Sequence, residues 1–259
     1  MQVRLVVLDE KIDQRIELLK AQRQKAPPHV NIELLAASAR DIIACENVLD
    51  MFADDISRRI AGEVRNAKLA YLVGTSRLFG EAMHCAVKGP SSAGKSILRE
   101  QVLKYFPQES LISFTSLSER ALIYEERDFQ HVILSMGEAQ SKEEISFQDY
   151  LLRELMSENK IVYKVPVKVG SKIQTTTIEK HGPVAFFVTT TRNKLHNENE
   201  TRLLSLDVDE SAEQTRKVLR KIAVVKGFNR VPAEADLKPW GDYQRFLAAV
   251  RLSCHSRQP

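Results

Sequence analysis

The stretch that decides the fold runs from Gly89 to Ser96 and reads Gly-Pro-Ser-Ser-Ala-Gly-Lys-Ser, which is the pattern G-x-x-x-x-G-K-S. A short apolar run, Met83 to Lys88, precedes it, and residues with helical apolar spacing follow it up to Pro107. A strand, a glycine loop and a helix in this order are the context in which the pattern binds phosphates. The alternative is a Gly/Ser turn that binds no ligand, and such a turn needs neither flank.

Each part of this loop has a predicted role. Gly89 and Gly94 lack a Cβ atom, so the main chain can bend tightly and its N–H groups can approach phosphate oxygens. The N-terminus of the following helix adds unpaired donors for an anion. We expect Lys95 to bridge the β- and γ-phosphates and Ser96 to bind Mg²⁺. The predicted nucleotide-binding residues of the loop are Gly89, Pro90, Ser91, Ser92, Ala93, Gly94, Lys95, Ser96 and Ile97. The predicted cofactors are ATP and Mg²⁺, although the pattern does not separate ATP from GTP.

The composition is that of an ordinary globular protein. The chain has 259 residues, 43% of them hydrophobic and 28% charged, with a net charge of +4. This mild basic excess permits a nucleic-acid partner without requiring one. Cys45, Cys85 and Cys254 lack metal-ligand spacing and are typical of reduced thiols in a cytoplasmic protein. No apolar run reaches the roughly 18 residues of a membrane helix, so neither a membrane span nor export is expected.

Strand and helix patterns alternate after the loop. They predict an α/β fold with a five-stranded, mostly parallel sheet, helices on both faces, and the nucleotide at the C-terminal ends of the strands. The predicted strands are 85–88, 111–114, 132–136, 184–189 and 203–208, and the predicted helices include 118–126, 147–158 and 211–225. Apolar residues at steps of three and four predict helices from 31 to about 79. We expect a helical N-terminal region (1–60), a nucleotide-binding core (61–210), and a helical lid with a truncated C-terminal extension (211–259).

Glu138, just after the predicted strand 132–136, is the candidate catalytic acid. A phosphate-loop enzyme needs an acidic group on a neighbouring strand to organise Mg²⁺ and the attacking water. Asp-Glu is the usual pair at this point, but here Gly137 occupies the position of the Asp. We therefore expect weaker support of Mg²⁺, through water, and the sequence leaves open whether hydrolysis survives. The alternative for Glu138 is a solvated carboxylate at a strand end.

Two further segments carry candidate groups for the γ-phosphate. The strand 184–189 ends in polar residues, and its register, which the sequence does not fix, decides among Thr189, Thr190, Thr191 and Asn193. Arg202 directly precedes the last predicted strand. In ring-forming ATPases such an Arg reaches the neighbour's nucleotide and stabilises transition-state charge; a surface ion pair is the alternative. Arg216, on the helix 211–225, is expected to contact the nucleotide from the lid.

Residues 160–180 read as a β-hairpin, because two β-branched runs are joined at Gly170-Ser171. Pro166 disfavours a central strand and suits a projecting arm. The hairpin lysines are Lys164, Lys168 and Lys172 near the tip, with Lys160 and Lys180 at the base. Such lysines contact nucleic-acid phosphates without reading sequence, and Lys168 and Lys172 are the predicted contacts. A solvated edge hairpin, protected by lysines against aggregation, is the alternative. Residues 217–230 add five basic and no acidic residues.

Several segments together resemble the AAA+ ATPases, within the branch that has a hairpin before the sensor strand and includes MCM-type and superfamily-3 helicases. The segments are GPSSAGKS, ILSMGEA, YLLRELMSENKI, EKHGPVAFFVTTT and LHNENETRLLSLDVDES, between about residues 60 and 225. They are most similar to ATPase modules in replication proteins of phages and bacterial mobile elements. The resemblance implies Lys95 and Ser96 as nucleotide ligands, Glu138 as catalytic acid, a threonine near Thr190 as sensor, and Arg202 as a trans-acting finger.

We therefore predict an ATP-hydrolysing AAA+ protein that acts as a DNA helicase-like translocase or remodelling motor. The expected partners are further copies of the chain in a ring or filament, single-stranded DNA, and a primase or other replication protein. The competing hypothesis is a nucleotide-gated regulatory or loader ATPase with weak hydrolysis that acts on a protein, which Gly137 favours. A third interpretation is a small-molecule kinase, which needs a substrate pocket. Ring size, direction of movement, and DNA versus protein as substrate are not fixed by the sequence.

Overall fold

A five-stranded sheet lies at the centre of the protein, whose computed structural model describes residues 31–91, 93–116, 118, 120–138, 147–169, 172–191, 200–227 and 236–255. The strands are β1 His84–Lys88, β2 Leu111–Phe114, β3 Val132–Glu138, β4 Lys160–Val169, β5 Lys172–His181, β6 Val184–Thr190 and β7 Leu204–Asp207. The central sheet has the order β2-β3-β6-β1-β7, and all of its pairs are parallel. The predicted α/β fold class is confirmed.

Helices cover the sheet. They are α1 Ile32–Ser38, α2 Arg40–Ile43, α3 Val48–Ser57, α4 Val64–Ser76, α5 Lys95–Leu103, α6 Ala121–Tyr124, α7 Phe147–Glu158, α8 Ala212–Gly227 and α9 Lys238–His255. The Asn31 side chain accepts a hydrogen bond from the backbone N–H of Leu34 and so caps α1. The Asn47 side chain does the same with the N–H of Asp50 and caps α3. Residues 1–30 of the predicted N-terminal region lie outside the described residues. Within the described part of the chain, no helix combines the length and apolar character needed to cross a bilayer.

The side chains of the central strands alternate between two apolar layers, as expected for a sheet that is buried on both faces. One layer, with α3, α4 and α5, contains Cys85, Val87, Ile133, Ala185, Phe187 and Leu206. The other, with α6, α7 and the base of β4, contains Ala86, Leu134, Met136, Phe186 and Val188. This alternation also determines on which face each polar residue at a strand end lies, because a residue shares the face of the residue two positions before it.

The helix α9 packs on the N-terminal helices. Trp240 is buried, and its ring centroid lies 5.4 to 5.8 Å from those of Phe52, Tyr71 and Tyr105. Further along α9, Gln244 accepts a hydrogen bond from the buried Arg77 guanidinium at 2.8 Å. The aromatic cluster therefore joins the N-terminal helices, α5 and the last described helix into one layer on this face of the sheet.

The strands β4 and β5 form a separate antiparallel hairpin, as predicted. Ile161 at its base is buried in the second layer, whereas the strands beyond Tyr163 become exposed. The helix predicted for 118–126 is shorter than expected, since α6 covers only Ala121–Tyr124. Glu125 has φ −56° and ψ 131°, and its carbonyl accepts a hydrogen bond from Lys180 of β5. The helix prediction was too long because the chain turns there to meet the base of the hairpin.

Candidate functional site

The loop that joins β1 to α5 requires glycine at its first residue. Gly89 has a φ of +150°, and a Cβ atom there would lie 2.3 Å from Val208 Cγ2. Val208 is held because its N–H donates to the Lys88 carbonyl at 3.0 Å. Gly94, which precedes α5, has a φ of +86°, and a Cβ there would meet no atom within 4 Å. The main chain therefore bends at both ends of the loop, and the start of α5 faces open space.

Lys95 folds back over this loop. Its ammonium donates to the Gly89 carbonyl at 2.8 Å and to the Pro90 carbonyl at 2.5 Å, and the residue is 7% exposed. A cation held by neutral carbonyl oxygens keeps a net positive field at the start of α5, where the helix dipole also favours an anion. Ser96 and Ile97 in the first helical turn are exposed. These features fit a phosphate group, with the Ser96 hydroxyl available to a metal ion. Ser92 lies outside the described residues.

The threonines at the end of β6 lie between β1 and β3, because β6 is the strand that separates them. Thr190 pairs with Lys88 in the ladder and is 1% exposed. Thr189 continues the α5 face, and its hydroxyl donates to the Gly137 carbonyl at 2.9 Å. Thr191 is exposed, and Asn193 lies outside the described residues. The register thus brings Thr189 and Thr190 to the phosphate-loop edge, and the sensor role of Thr190 stays a prediction.

The end of β3 contains a bulge at Gly137. Met136 pairs with Val188 and Glu138 pairs with Thr189, so one residue of β6 faces two of β3. A Cβ at Gly137 would lie 3.5 Å from Thr115 Cα, which is ordinary contact. The main chain thus brings Glu138 to the C-terminal edge of the sheet, two strands from β1. Only the main chain of Glu138 is described, and its catalytic role remains a prediction.

Two polar contacts around these strands were missed by the sequence reasoning. Arg99 Nη1 of α5 donates to the Met136 carbonyl at 2.5 Å. Lys88, which is 3% exposed, forms an ion pair with Glu200. A lysine at the end of an apolar strand was a signal that the side chain needs a buried partner. No local pattern marks Arg99, because its acceptor is a main-chain carbonyl far along the chain.

Arg202 lies near the N-terminal ends of the parallel strands, at the end of the sheet opposite the phosphate loop. It precedes the N-terminal end of β7, whereas the loop 89–96 follows the C-terminal end of the parallel strand β1. Its Nε donates to Ser157 Oγ at 2.7 Å near the end of α7. The structure therefore does not bring Arg202 to the phosphate loop of its own chain, and the trans-acting role stays a prediction.

The predicted lid helix α8 follows β7 and is fastened at two residues. Gln214 Nε2 donates to the Ala61 carbonyl at 2.5 Å, and Lys221 Nζ donates to the carbonyls of Ser57 and Ile60 at 2.7 Å. Burial lowers the pKa of Lys221. Arg216 is exposed on the same helix and makes no hydrogen bond or ion pair with another described residue. Its contact with nucleotide remains a prediction.

The hairpin is firmly held at its base and exposed beyond it. Lys180 Nζ donates to the carbonyls of Glu125 and Arg127, and Lys160 pairs with Glu179 at 3.0 Å. Farther out, Lys164 and Lys168 point to the same face of β4, are exposed, and have no ion pair with any described residue. Lys172 opens β5, and only its main chain is described. The predicted phosphate contact of Lys168 and Lys172 is not tested.

Metal binding by protein side chains alone has little support in the described ranges, where no group of three or more His, Cys, Asp or Glu residues could hold an ion. Ser96, exposed in the first turn of α5, carries a hydroxyl that could bind a magnesium ion, whose other ligands in nucleotide sites are usually phosphate oxygens and water.

Comparison with known proteins agrees with this geometry. Residues 33–237 match the model of the protein family described as MTBMA_p00010 P-loop domain. No curated protein matches the chain. Because the matched range covers most of the chain, the protein belongs to this P-loop domain family, and nucleotide binding in general follows from that membership.

Proposed function

We propose that this P-loop domain protein is an AAA+ ATPase that hydrolyses Mg²⁺-ATP between subunits and moves or remodels single-stranded DNA in the replication of a phage or mobile element. The observation that carries the proposal is the presence, in one chain, of an open phosphate loop and a projecting hairpin whose Lys164 and Lys168 have no described ionic partner. The family membership supports the nucleotide part alone.

In this proposal the residues at the sheet edge divide the work on ATP. The N–H groups of the loop and the Lys95 ammonium bind the phosphates, leaving the Gly89 and Pro90 carbonyls when the anion arrives. Bound Mg²⁺ would neutralise charge on the phosphate oxygens. Glu138 would orient the attacking water, and Thr190 would sense the γ-phosphate.

The proposed finger role of Arg202 requires an oligomer. Since it lies at the sheet edge opposite its own loop, it can reach a γ-phosphate only if a second copy supplies one. A mixing experiment tests this. Arg202→Ala keeps an intact loop, and Lys95→Ala keeps an intact finger, so a mixture of the two inactive variants is expected to regain ATPase activity at shared interfaces. If the two variants associate with each other but the mixture stays inactive, the trans role is contradicted.

The DNA part of the proposal is tested by the ATPase rate with and without single-stranded DNA. Wild-type protein is expected to be stimulated, and the double variant Lys164→Ala/Lys168→Ala to lose the stimulation. Lys104→Ala is the matched control, because Lys104 is an exposed lysine at the end of α5, away from the hairpin. Equal stimulation of both variants would contradict a hairpin contact with phosphates.

The alternative is a nucleotide-gated regulator or loader that acts on another protein and hydrolyses slowly. The absence of a carboxylate at Gly137 favours it, because the metal then lacks its usual protein support. An ATPase rate that is low and indifferent to DNA, with tight nucleotide binding, would favour this alternative over the motor.

A further inference from the structure

The bulge at the end of β3 determines which residue stands where the missing Asp would be. In a regular ladder the residue after Met136 would face Thr189, and that residue is Gly137. The bulge inserts Gly137 as an extra residue and moves Glu138 into the position opposite Thr189. Bulges next to functional sites re-aim side chains in this way. Glu138, the single acidic residue of β3, thus occupies the position opposite Thr189 that Gly137 would take in a regular ladder.

Side chains from two other elements donate hydrogen bonds to main-chain carbonyls at the bulge. Arg99 Nη1 of α5 donates to the Met136 carbonyl at 2.5 Å, and Thr189 Oγ1 of β6 donates to the Gly137 carbonyl at 2.9 Å. A change in the conformation of the bulge would break these hydrogen bonds, so they favour the observed conformation. Three elements of the phosphate-loop edge, α5, β3 and β6, are joined at this point.

Arg99 is a costly choice for a merely structural contact. Its side chain is 14% exposed and its Nη2 lies 3.7 Å from Glu100 Oε1, while its Nε is buried and has no hydrogen-bond partner among the described residues. Burial lowers the pKa of Arg99. A neutral donor would bind the Met136 carbonyl without desolvating a charge. The placement is of interest because Arg99 lies one helical turn after Lys95, on the helix that binds phosphate at its start.

We propose that Arg99 and Thr189 are positioning residues that hold the β3 bulge and so fix Glu138 relative to the phosphate loop. The inference rests on the proposed ATPase function. Arg99 connects the helix that begins at Lys95 directly to the main chain two residues before Glu138. A shift of α5 on phosphate binding would therefore be passed to the strand end that carries the carboxylate.

The test separates nucleotide affinity from turnover. Arg99→Ala and Thr189→Val each remove one of the two donors. Arg99→Lys and Thr189→Ser each keep a hydrogen-bond donor at the same position. Arg58→Ala is the matched control, because Arg58, which directly follows α3, has a side chain that is 73% exposed and an ion pair with Asp55 at 3.9 Å. For each protein, the dissociation constant of ATP is measured by calorimetry, turnover by single-turnover hydrolysis, and Tm by thermal unfolding.

We expect turnover to fall about tenfold to a hundredfold in Arg99→Ala and Thr189→Val, as for a misplaced catalytic group, with ATP affinity little changed. Arg99→Lys and Thr189→Ser should recover most of the rate, and Arg58→Ala should equal wild type. Unchanged turnover in Arg99→Ala would overturn the inference alone. So would parallel losses of affinity, turnover and Tm that Arg99→Lys does not rescue. Wild-type protein that binds ATP but never hydrolyses it would overturn the proposed ATPase function and, with it, the inference.

Discussion

The ends of β1 and β3 both carry a glycine where the chain approaches the candidate phosphate site, but for different reasons. At Gly89 the neighbouring Val208 leaves no room for a Cβ, which would lie 2.3 Å from Val208 Cγ2. At Gly137 the same atom would meet Thr115 Cα at 3.5 Å, an ordinary contact. The first glycine is required by geometry, and the second is not required by space. The end of β1, which follows the motif, is fixed by packing against Val208. The end of β3, which departs from the motif at Gly137, is held by hydrogen bonds from Arg99 and Thr189.

The largest difference between the two ends is expected from alanine substitutions. Gly89→Ala should lower the free energy of unfolding by about 2–4 kcal/mol, because overpacking and an unfavourable φ add together. It should also abolish nucleotide binding. Gly137→Ala should change the unfolding free energy by less than about 1 kcal/mol. Urea unfolding of both variants checks the comparison, and equal losses would mean that the two strand ends do not differ in this way.

The next effect concerns the ion pair between Lys88, the last residue of β1, and Glu200. Lys88 is buried, and its partner Glu200 is 31% exposed in its side chain. Glu200→Ala removes the carboxylate that faces this ammonium and should cost about 1–3 kcal/mol of unfolding free energy.

Replacing both residues by apolar ones of similar size, Lys88→Met with Glu200→Leu, should recover part of that loss, since no charge is then buried. The measurement is again the urea midpoint. A double variant that is less stable than Glu200→Ala would show that the pair contributes more than it costs to bury.

The last effect, which is the smallest near neutral pH, is expected at the opposite end of β1, where His84 is buried and its Nε2 lies 3.4 Å from the Met156 carbonyl oxygen. Burial lowers the pKa of His84 to about 4, although the Met156 carbonyl favours the proton. As the pH falls below about 6.5, His84 therefore binds a proton in the unfolded chain but stays neutral in the folded protein until about pH 4. The stabilisation is fully present above about pH 6.5 and is lost towards pH 4, at up to about 1.4 kcal/mol per pH unit.

Urea midpoints between pH 7 and pH 4.5 check this prediction. His84→Gln should flatten the dependence on pH, and His131, whose pKa burial also lowers, should account for part of the remaining slope in the same direction. An unaltered slope in His84→Gln would assign the acid sensitivity to other groups.

The sequence predicted what local pattern determines. The bounds of β2 and α7 agree with the prediction because their apolar spacing is uninterrupted, and the hairpin is where Gly170-Ser171 and Pro166 indicated. The strand order could not be read, because no residue of β6 indicates that it separates β1 from β3. Nor could the bulge, which depends on donors supplied by Arg99 and Thr189 from distant parts of the chain. Patterns report faces and periods, whereas register and long-range polar contacts depend on the assembled fold.

The central claim is that the loop 89–96 binds a nucleotide through its phosphates, and calorimetry of ATP binding to wild type and Lys95→Ala tests it most directly. Wild-type protein is expected to bind ATP, and loss of the ammonium, which donates charge-assisted hydrogen bonds, should weaken binding by about 100-fold. Lys104→Ala should bind as wild type does. Undiminished affinity in a folded Lys95→Ala protein, or no binding to wild type, would contradict the account.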